Sequence, residues 1–317
     1  MVNIVNPIPE ALHHYQQELE ETLKRISVDF AIADTCAAEG RRGMHGKIAM
    51  VRAALSNARR FRGTAAIQLW PSLGLAEARL WEHGDFVIFH DPIPIRPQFG
   101  YGTRFRSWAN GGNGKAPTLI THSRKAAAIV ESTFPRHEVR VALHPVQGTE
   151  FRGTNDLERQ GGVLVAGQYK PERDTDLLEQ LAPKLAAIDM RGRIVGRGWP
   201  EVTGWDVHSA FVSESELDTE LSRAQVVLVP YRNYFQSGIA IRALELGTPV
   251  ALLHNDFAES LLGEETPMIR GDATAGAVID VISQLLAGPS AHEIIAAYRS
   301  RVDESWQQLF GRATHSP

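Results

Sequence analysis

Four groups of residues in this 317-residue chain have the types and spacing to do chemistry. The first is Ser237-Gly238-Ile239, which opens a helix after an apolar run at residues 226–229 that ends at Pro230. Gly247 stops that helix, and Pro249 precedes a second apolar run at 250–253. A helix start just past the carboxyl end of a parallel strand offers backbone N–H groups and a positive dipole end. That arrangement suits phosphate; the plainer alternative is a serine N-cap. The second group is His90-Asp91, at the end of an apolar run over 86–89. A neutral imidazole there offers one donor and one acceptor to a bound hydroxyl. Asp91 either orients it or caps the turn with Pro92.

The third group is basic. Residues 40–62 hold Arg41, Arg42, Lys47, Arg52, Arg59, Arg60 and Arg62, and no acid occurs from Gly40 to Ala76. Met44, Ile48, Val51 and Leu55 form an apolar stripe among these bases. Such a helix could lie on an anionic membrane surface, or Arg41, Arg42 and His45 could hold an anionic acceptor. It could also be an amphipathic helix packed on a sheet with solvated arginines outside. The fourth group, Asp174-Thr175-Asp176, has a metal-binding pattern but opens a helix, where acids are common caps. The cap is the reading adopted, and no metal is expected.

The elements that must position these groups alternate. Strands are expected at residues 2–5, 28–32, 65–69, 86–89, 118–121 and 139–143. Helices are expected at 10–25, from about 47 to 60, at 75–81 and at 124–131. Residues 94–115 read as irregular. A polar, glycine-rich stretch at 148–162 reads as a linker. A second series follows, with strands at 163–166, 193–195, 226–229 and 250–253. Its helices fall at 175–185, 213–223, 237–246, 273–286 and 292–310. This is an α/β chain of two doubly wound domains, 1–150 and 160–290, with a terminal helical segment at 291–317.

Composition narrows the class. No apolar run approaches the roughly 20 residues that span a bilayer, and the first residues do not read as a secretory signal. Cys36 is the one cysteine, which leaves no internal disulfide and fits a reducing, cytoplasmic setting. Residues 1–155 carry 19 basic against 14 acidic side chains, and the remainder 14 against 23, so the halves face different partners. Neither is basic enough for a dedicated nucleic-acid protein.

Several segments resemble the GT-B glycosyltransferases, most closely the retaining glycosyltransferase family 4. The series from Val226 to Pro230, the helix with Glu245, and Gly247-Thr248-Pro249-Val250 is similar to that family's nucleotide-sugar segment. VLVAGQYKPERD resembles the opening of its second domain, RIVGRGW its strand-Gly-x-Gly, and DFVIFHDP the first-domain strand whose terminal His lies in the cleft. LITHSRKAAAIV and VALHPV resemble later first-domain segments.

The resemblance implies two Rossmann-like domains facing a cleft, with the last helix crossing back to the first. It implies transfer of a sugar from a nucleoside diphosphate, UDP or GDP, with retention and without a metal or other cofactor. Donor contacts would come from Gly167, Gly196, Gln236, Ser237, Gly238, Ile239 and Glu245, the last on the ribose. The family's basic residues near the start of the second domain are displaced here, leaving Lys170 and Arg173 to meet the diphosphate or to lie on the surface. His90 would stand beside the reacting sugar; His13, His14, His122 and His144 are further histidines of that domain. Where the family has a first glutamate, this chain has Gln236-Ser237. That departure keeps two rivals open. One is a binding or scaffold protein without activity. The other is a different GT-B enzyme, an epimerase or an inverting transferase with Asp34, His90 or Asp91 as base.

Overall fold

The computed structural model describes residues 1–35, 43–93, 100–110, 116–148, 159 and 161–313. The chain divides into two units: Met1–Gly148 with Arg301–Pro317, and Thr149–Ser300.

The first unit is built on six parallel strands. These are β1 (Val2–Val5), β2 (Phe30–Ile32), β3 (Ala66–Gln68), β4 (Phe86–Ile88), β5 (Thr118–Thr121) and β6 (Val139–Val141), in the order β2-β1-β3-β4-β5-β6. β3 and β4 are buried throughout; β4 is wholly apolar, and the one polar residue of β3, Gln68, is hydrogen-bonded to Glu77. Helices α1 (His13–Arg25), α2 (Gly43–Arg60), α3 (Thr103–Ala109) and α4 (Arg124–Thr133) connect the strands, with a 3-10 turn at Gly74–Arg79. The chain leaves β1 toward β2 on one side and returns to β3 on the other. The topological switch point therefore falls between β1 and β3, where ligands bind at the carboxyl ends of such sheets.

The second unit has five parallel strands: β7 (Val163–Ala166), β8 (Gly192–Val195), β9 (Asp206–His208), β10 (Val226–Val229) and β11 (Val250–Leu252), ordered β11-β10-β7-β8-β9. Its switch point lies between β7 and β10, both fully buried. Its helices are α5 (Thr175–Ala186), α6 (Glu214–Arg223), α7 (Gly238–Glu245), α8 (Asp256–Leu262) and α9 (Ala275–Ala287). Side-chain caps start each of these five: Asp174, Ser213, Ser237, Asn255 and Thr274 each accept a backbone N–H. The last helix, α10 (Ala291–Ala313), gives its residues from Arg301 onward to the first unit. There Trp306 donates through Nε1 to the Leu143 carbonyl at 2.9 Å, and the Leu143 N–H donates to Ser305 Oγ at 3.0 Å.

Several sequence expectations need correction. α1 begins at His13 rather than residue 10, because Pro7 and Pro9 hold the preceding backbone in turns. The 94–115 stretch contains α3, hidden among glycines. β9 and α8 were not expected; one is a polar edge strand of three residues and the other a single capped helix of seven. In α2 the packed side takes in Val51 of the expected stripe but not Ile48. Ala53, Ala54 and Asn57 are buried, Met50 and Val51 pack beside Leu73 and Ala76, and Ile48 is 46% exposed. Arg41 and Arg42 lie outside the described residues, as does the His45 side chain. Among the described residues no helix is long and apolar enough to cross a membrane.

Candidate functional site

In the second unit, the carboxyl ends of β7 and β10 carry the expected phosphate groups. β7 runs into Gly167, whose φ is +97°. A Cβ there would lie 2.9 Å from Arg173 Nη2 and 3.6 Å from Ile239 Cγ1. Gly167, Arg173 and the amino end of α7 thus converge. Ser237 caps α7, its Oγ accepting the Ala240 N–H at 3.2 Å. The N–H groups of Gly238 and Ile239 meet no acceptor among the described residues, as the first turn of a helix leaves them.

Arg173 is fixed there by its backbone and by two rings. Its neighbours strap the loop to the end of β10: Asp174 N–H donates to Pro230 O at 2.8 Å and Arg232 N–H to Glu172 O at 3.0 Å. The guanidinium lies 4.9 Å from the Trp199 ring centre and 4.8 Å from that of Tyr231. Nη2 donates to Ala166 O at 2.8 Å and Nε to Tyr231 Oη at 3.2 Å. Arg173 is 5% exposed and pairs with no carboxylate among the described residues. Burial pulls its pKa below the ordinary guanidinium value, with Tyr231 opposing. Cation–π contact softens such burial by about 1–2 kcal/mol without neutralising the charge. Lys170 stands apart, its Nζ 5.9 Å over the Tyr231 ring.

The remaining second-unit candidates divide. Gly196 abuts Gly167 at the end of β8. Gln236 is half-buried. Glu245 closes α7 and is also half-buried. Arg242, one turn before it, reaches α6, with Nε 2.5 Å from Asp218 Oδ1 and Nη1 on Glu214. Asp174 accepts the Leu177 N–H at 3.0 Å as the α5 cap, and Arg232 binds both Asp174 and Asp176. The Arg232 hydrogen bond holds the Asp174 carboxyl below its ordinary value.

In the first unit, His90 follows β4 and is 5% exposed. Its Nε2 lies 2.9 Å from Leu69 O. A carbonyl only accepts, so the His90 Nε2 carries a proton and donates it to Leu69. That donor is engaged within the fold. Tyr15 stands perpendicular to the ring at 4.5 Å and Trp70 nearly parallel at 5.6 Å. Those contacts and Leu69 hold the ring. The Asp91 charge acts on Tyr101, whose phenol burial already pushes up.

Two histidines of minor standing in the sequence join this cluster. His122 follows β5 and His144 follows β6, their rings 5.3 Å from His90 and 5.2 Å from each other, respectively for His122 to His90 and His122 to His144. Burial drives the His122 pKa well below its ordinary value and that of His144 to about 3. Both are neutral. On α1, the buried Glu18 contacts His14 Nε2 at 3.2 Å and His144 Nδ1 at 3.7 Å. The signal was available, since each of β4, β5 and β6 is followed within three residues by a histidine. Asp34 is different: its carboxylate is 93% exposed beside Arg60.

No protein-family model and no curated protein sequence matches the chain. Solved structures do. AviGT4, a glycosyltransferase involved in avilamycin A biosynthesis, is similar over 100% of this chain and 99% of its own, with a TM-score of 0.64 at 14% identity. Sucrose-phosphate synthase from Thermosynechococcus elongatus is similar over 98% and 100%, with 0.61 at 15%. A TarM mutant from S. aureus, in complex with fondaparinux, α-GlcNAc-glycerol and UDP, is similar over 83% of this chain, with 0.57 at 12%. The chain spans 58% of that TarM's length. At these identities the likeness is one of fold: two parallel-sheet α/β domains of the GT-B type.

Proposed function

We propose that the protein is a glycosyltransferase that takes its sugar from a nucleoside diphosphate donor bound by the second unit. The observation that carries this reading is Arg173, a buried guanidinium with no carboxylate partner among the described residues, beside the amino end of α7. A diphosphate supplies the missing counter-charge, the N–H groups of Gly238 and Ile239 meet its oxygens, and Glu245 accepts from the ribose hydroxyls. UDP is the favoured nucleotide, because the similar TarM binds it.

His90 acts on the acceptor side. The retaining course rests on the sequence resemblance. In it the bond from the anomeric carbon to the leaving phosphate breaks and the bond to the acceptor oxygen forms on the same face. The acceptor proton passes to the leaving phosphate. Arg173 and the α7 dipole stabilise the charge that develops there, which is why no metal is invoked.

Thermal unfolding with UDP, GDP, ADP and their sugars tests the reading. At a hundredfold excess over Kd, the correct nucleotide adds about 2.7 kcal/mol. Arg173→Met keeps the fold and loses most of that gain, by about 10–100-fold in Kd. If no nucleotide stabilises the wild type, the binding-module rival takes its place. If product stereochemistry is inverted, the retaining course is wrong.

A further inference from the structure

We propose that Tyr231 is a diphosphate-binding residue of the second unit, its hydroxyl donating to a phosphate oxygen beside Arg173. That role rests on the glycosyltransferase reading for the identity of the ligand; that the hydroxyl must donate follows from bonds within the unit.

The backbone sets the pair. Tyr231 follows Pro230 at the carboxyl end of β10 and faces Arg173 across a single antiparallel bridge. Residues opposite each other in such a bridge carry their side chains side by side. A guanidinium nitrogen only donates. Arg173 Nε lies 3.2 Å from Tyr231 Oη, so the phenol oxygen accepts. The proton of that hydroxyl must then go elsewhere, and it meets no acceptor among the described residues. On Arg173, Nη2 is taken by Ala166 O at 2.8 Å, and Nη1 likewise meets no acceptor among the described residues. Two donors on neighbouring side chains thus await oxygens at the end of the sheet where ligands of this fold are bound.

Charge points to the same ligand. The Tyr231 ring centre lies 4.8 Å from Arg173 Cζ and 5.9 Å from Lys170 Nζ. Neither cation has a carboxylate partner among the described residues. A π face attracts a cation without cancelling its charge, so one ring holds two like charges that repel each other. A diphosphate carries negative oxygens on two phosphorus atoms, one for each cation, and those oxygens also accept from O–H and N–H groups. An uncharged nucleoside supplies no such charge. Tyr231 therefore serves twice, its ring gathering the two cations and its hydroxyl adding a neutral donor between them and the ligand.

The test is a double-mutant cycle of Tyr231→Phe and Arg173→Met, read by calorimetric titration with UDP, GDP, pyrophosphate and the free nucleosides. Tyr231→Phe keeps the ring beside both cations and removes the hydroxyl. It is expected to weaken pyrophosphate and the preferred nucleoside diphosphate about 10–100-fold, as loss of a hydrogen bond to a charged group does, and to leave nucleoside affinity unchanged. The loss is expected to persist in the Arg173→Met background, because the hydroxyl reaches the ligand itself. In the wild type, the Tyr231 13Cζ resonance is expected to move when pyrophosphate is added. Circular dichroism and thermal unfolding report whether each variant is folded. A folded Tyr231→Phe protein that binds pyrophosphate and the diphosphates as the wild type does overturns the proposal. So does a loss that vanishes once Arg173 is Met, since Tyr231 would then only hold the arginine. Where the double variant binds too weakly to titrate, an unmoved 13Cζ resonance in pyrophosphate-bound wild type overturns it. If neither pyrophosphate nor a nucleoside diphosphate binds the wild type, it falls together with the donor site. Pyrophosphate binding that depends on Tyr231, in a protein that transfers no sugar, upholds it and sinks the glycosyltransferase reading alone.

Discussion

A Cβ on Gly196 would stand 2.2 Å from the carbonyl oxygen of Gly167. The ends of β7 and β8 therefore meet backbone to backbone, and no side-chain rotation can relieve the contact. The same Gly167 carbonyl accepts Trp199 Nε1 at 2.8 Å, and Trp199 is one wall of the Arg173 sandwich. Gly196→Ala is expected to cost about 2–4 kcal/mol in urea unfolding and to displace Arg173 as well. Nucleotide binding should weaken more than the stability loss alone explains, as titration of UDP against the folded variant would measure.

Gly238 is the opposite case. A Cβ there has nothing within 4 Å. Gly238→Ala should leave stability unchanged or raise it by about 0.5–1 kcal/mol, because alanine suits a helix better than glycine. If the Gly238 N–H lies against a diphosphate, the added methyl intrudes on the ligand. The expected outcome is a more stable protein that binds UDP at least tenfold more weakly. Equal affinity would remove the α7 terminus from the donor site.

Glu77 supplies a pH dependence of defined sign. It is fully buried and accepts from Leu73 N–H and Gln68 Nε2, both at 3.0 Å, and from Trp81 Nε1 at 3.3 Å. Burial raises its pKa from 4.5 to about 7, against those three bonds. Between these values the unfolded chain releases the proton and the folded one keeps it. Stability therefore falls as pH rises from 4.5 to about 7 and changes no further above, with at most roughly 3 kcal/mol at stake. Glu77→Gln does not titrate. Its stability relative to wild type should rise across that window, and a constant difference at pH 5 and pH 8 would show that Glu77 is not the source.

Trp306→Ala removes a side chain that is fully buried and bonded to Leu143 O. The loss is expected to be about 3–5 kcal/mol. It should appear in protection of the first unit's amides, measured by hydrogen exchange. Protection lost first from β7 or β10 would contradict the assignment of residues 301–313 to the first unit.

The strand and helix order was readable because buried parallel strands must be apolar throughout and helix ends need caps. β7, β10 and α7 show both signals within a few residues. β9 was not readable, because an edge strand of Asp-Val-His has no apolar run. The histidine cluster was half readable. His90 announced itself at a strand end, whereas Tyr15 falls at near-helical spacing with Leu12, Leu19 and Leu23 and so reads as part of an apolar helix face. Nothing local says that its hydroxyl meets a residue 107 positions away. Arg173 was visible as a base near Gly167, but its burial depends on Trp199 and Tyr231, which only the folded unit brings to it.

The division of the chain has a consequence for synthesis. Residues 1–148 emerge first, yet their unit is completed only by residues from Arg301 onward, after the whole of the other unit. At about 5–20 residues per second, the interval between Gly148 and Trp306 lasts roughly 8–30 s. Throughout it the Leu143 N–H and C=O, which Ser305 and Trp306 will take, must be satisfied by water. The unit that starts first on the ribosome is thus the last to be finished, and a nascent chain passes through a stage in which only its later half has all its parts.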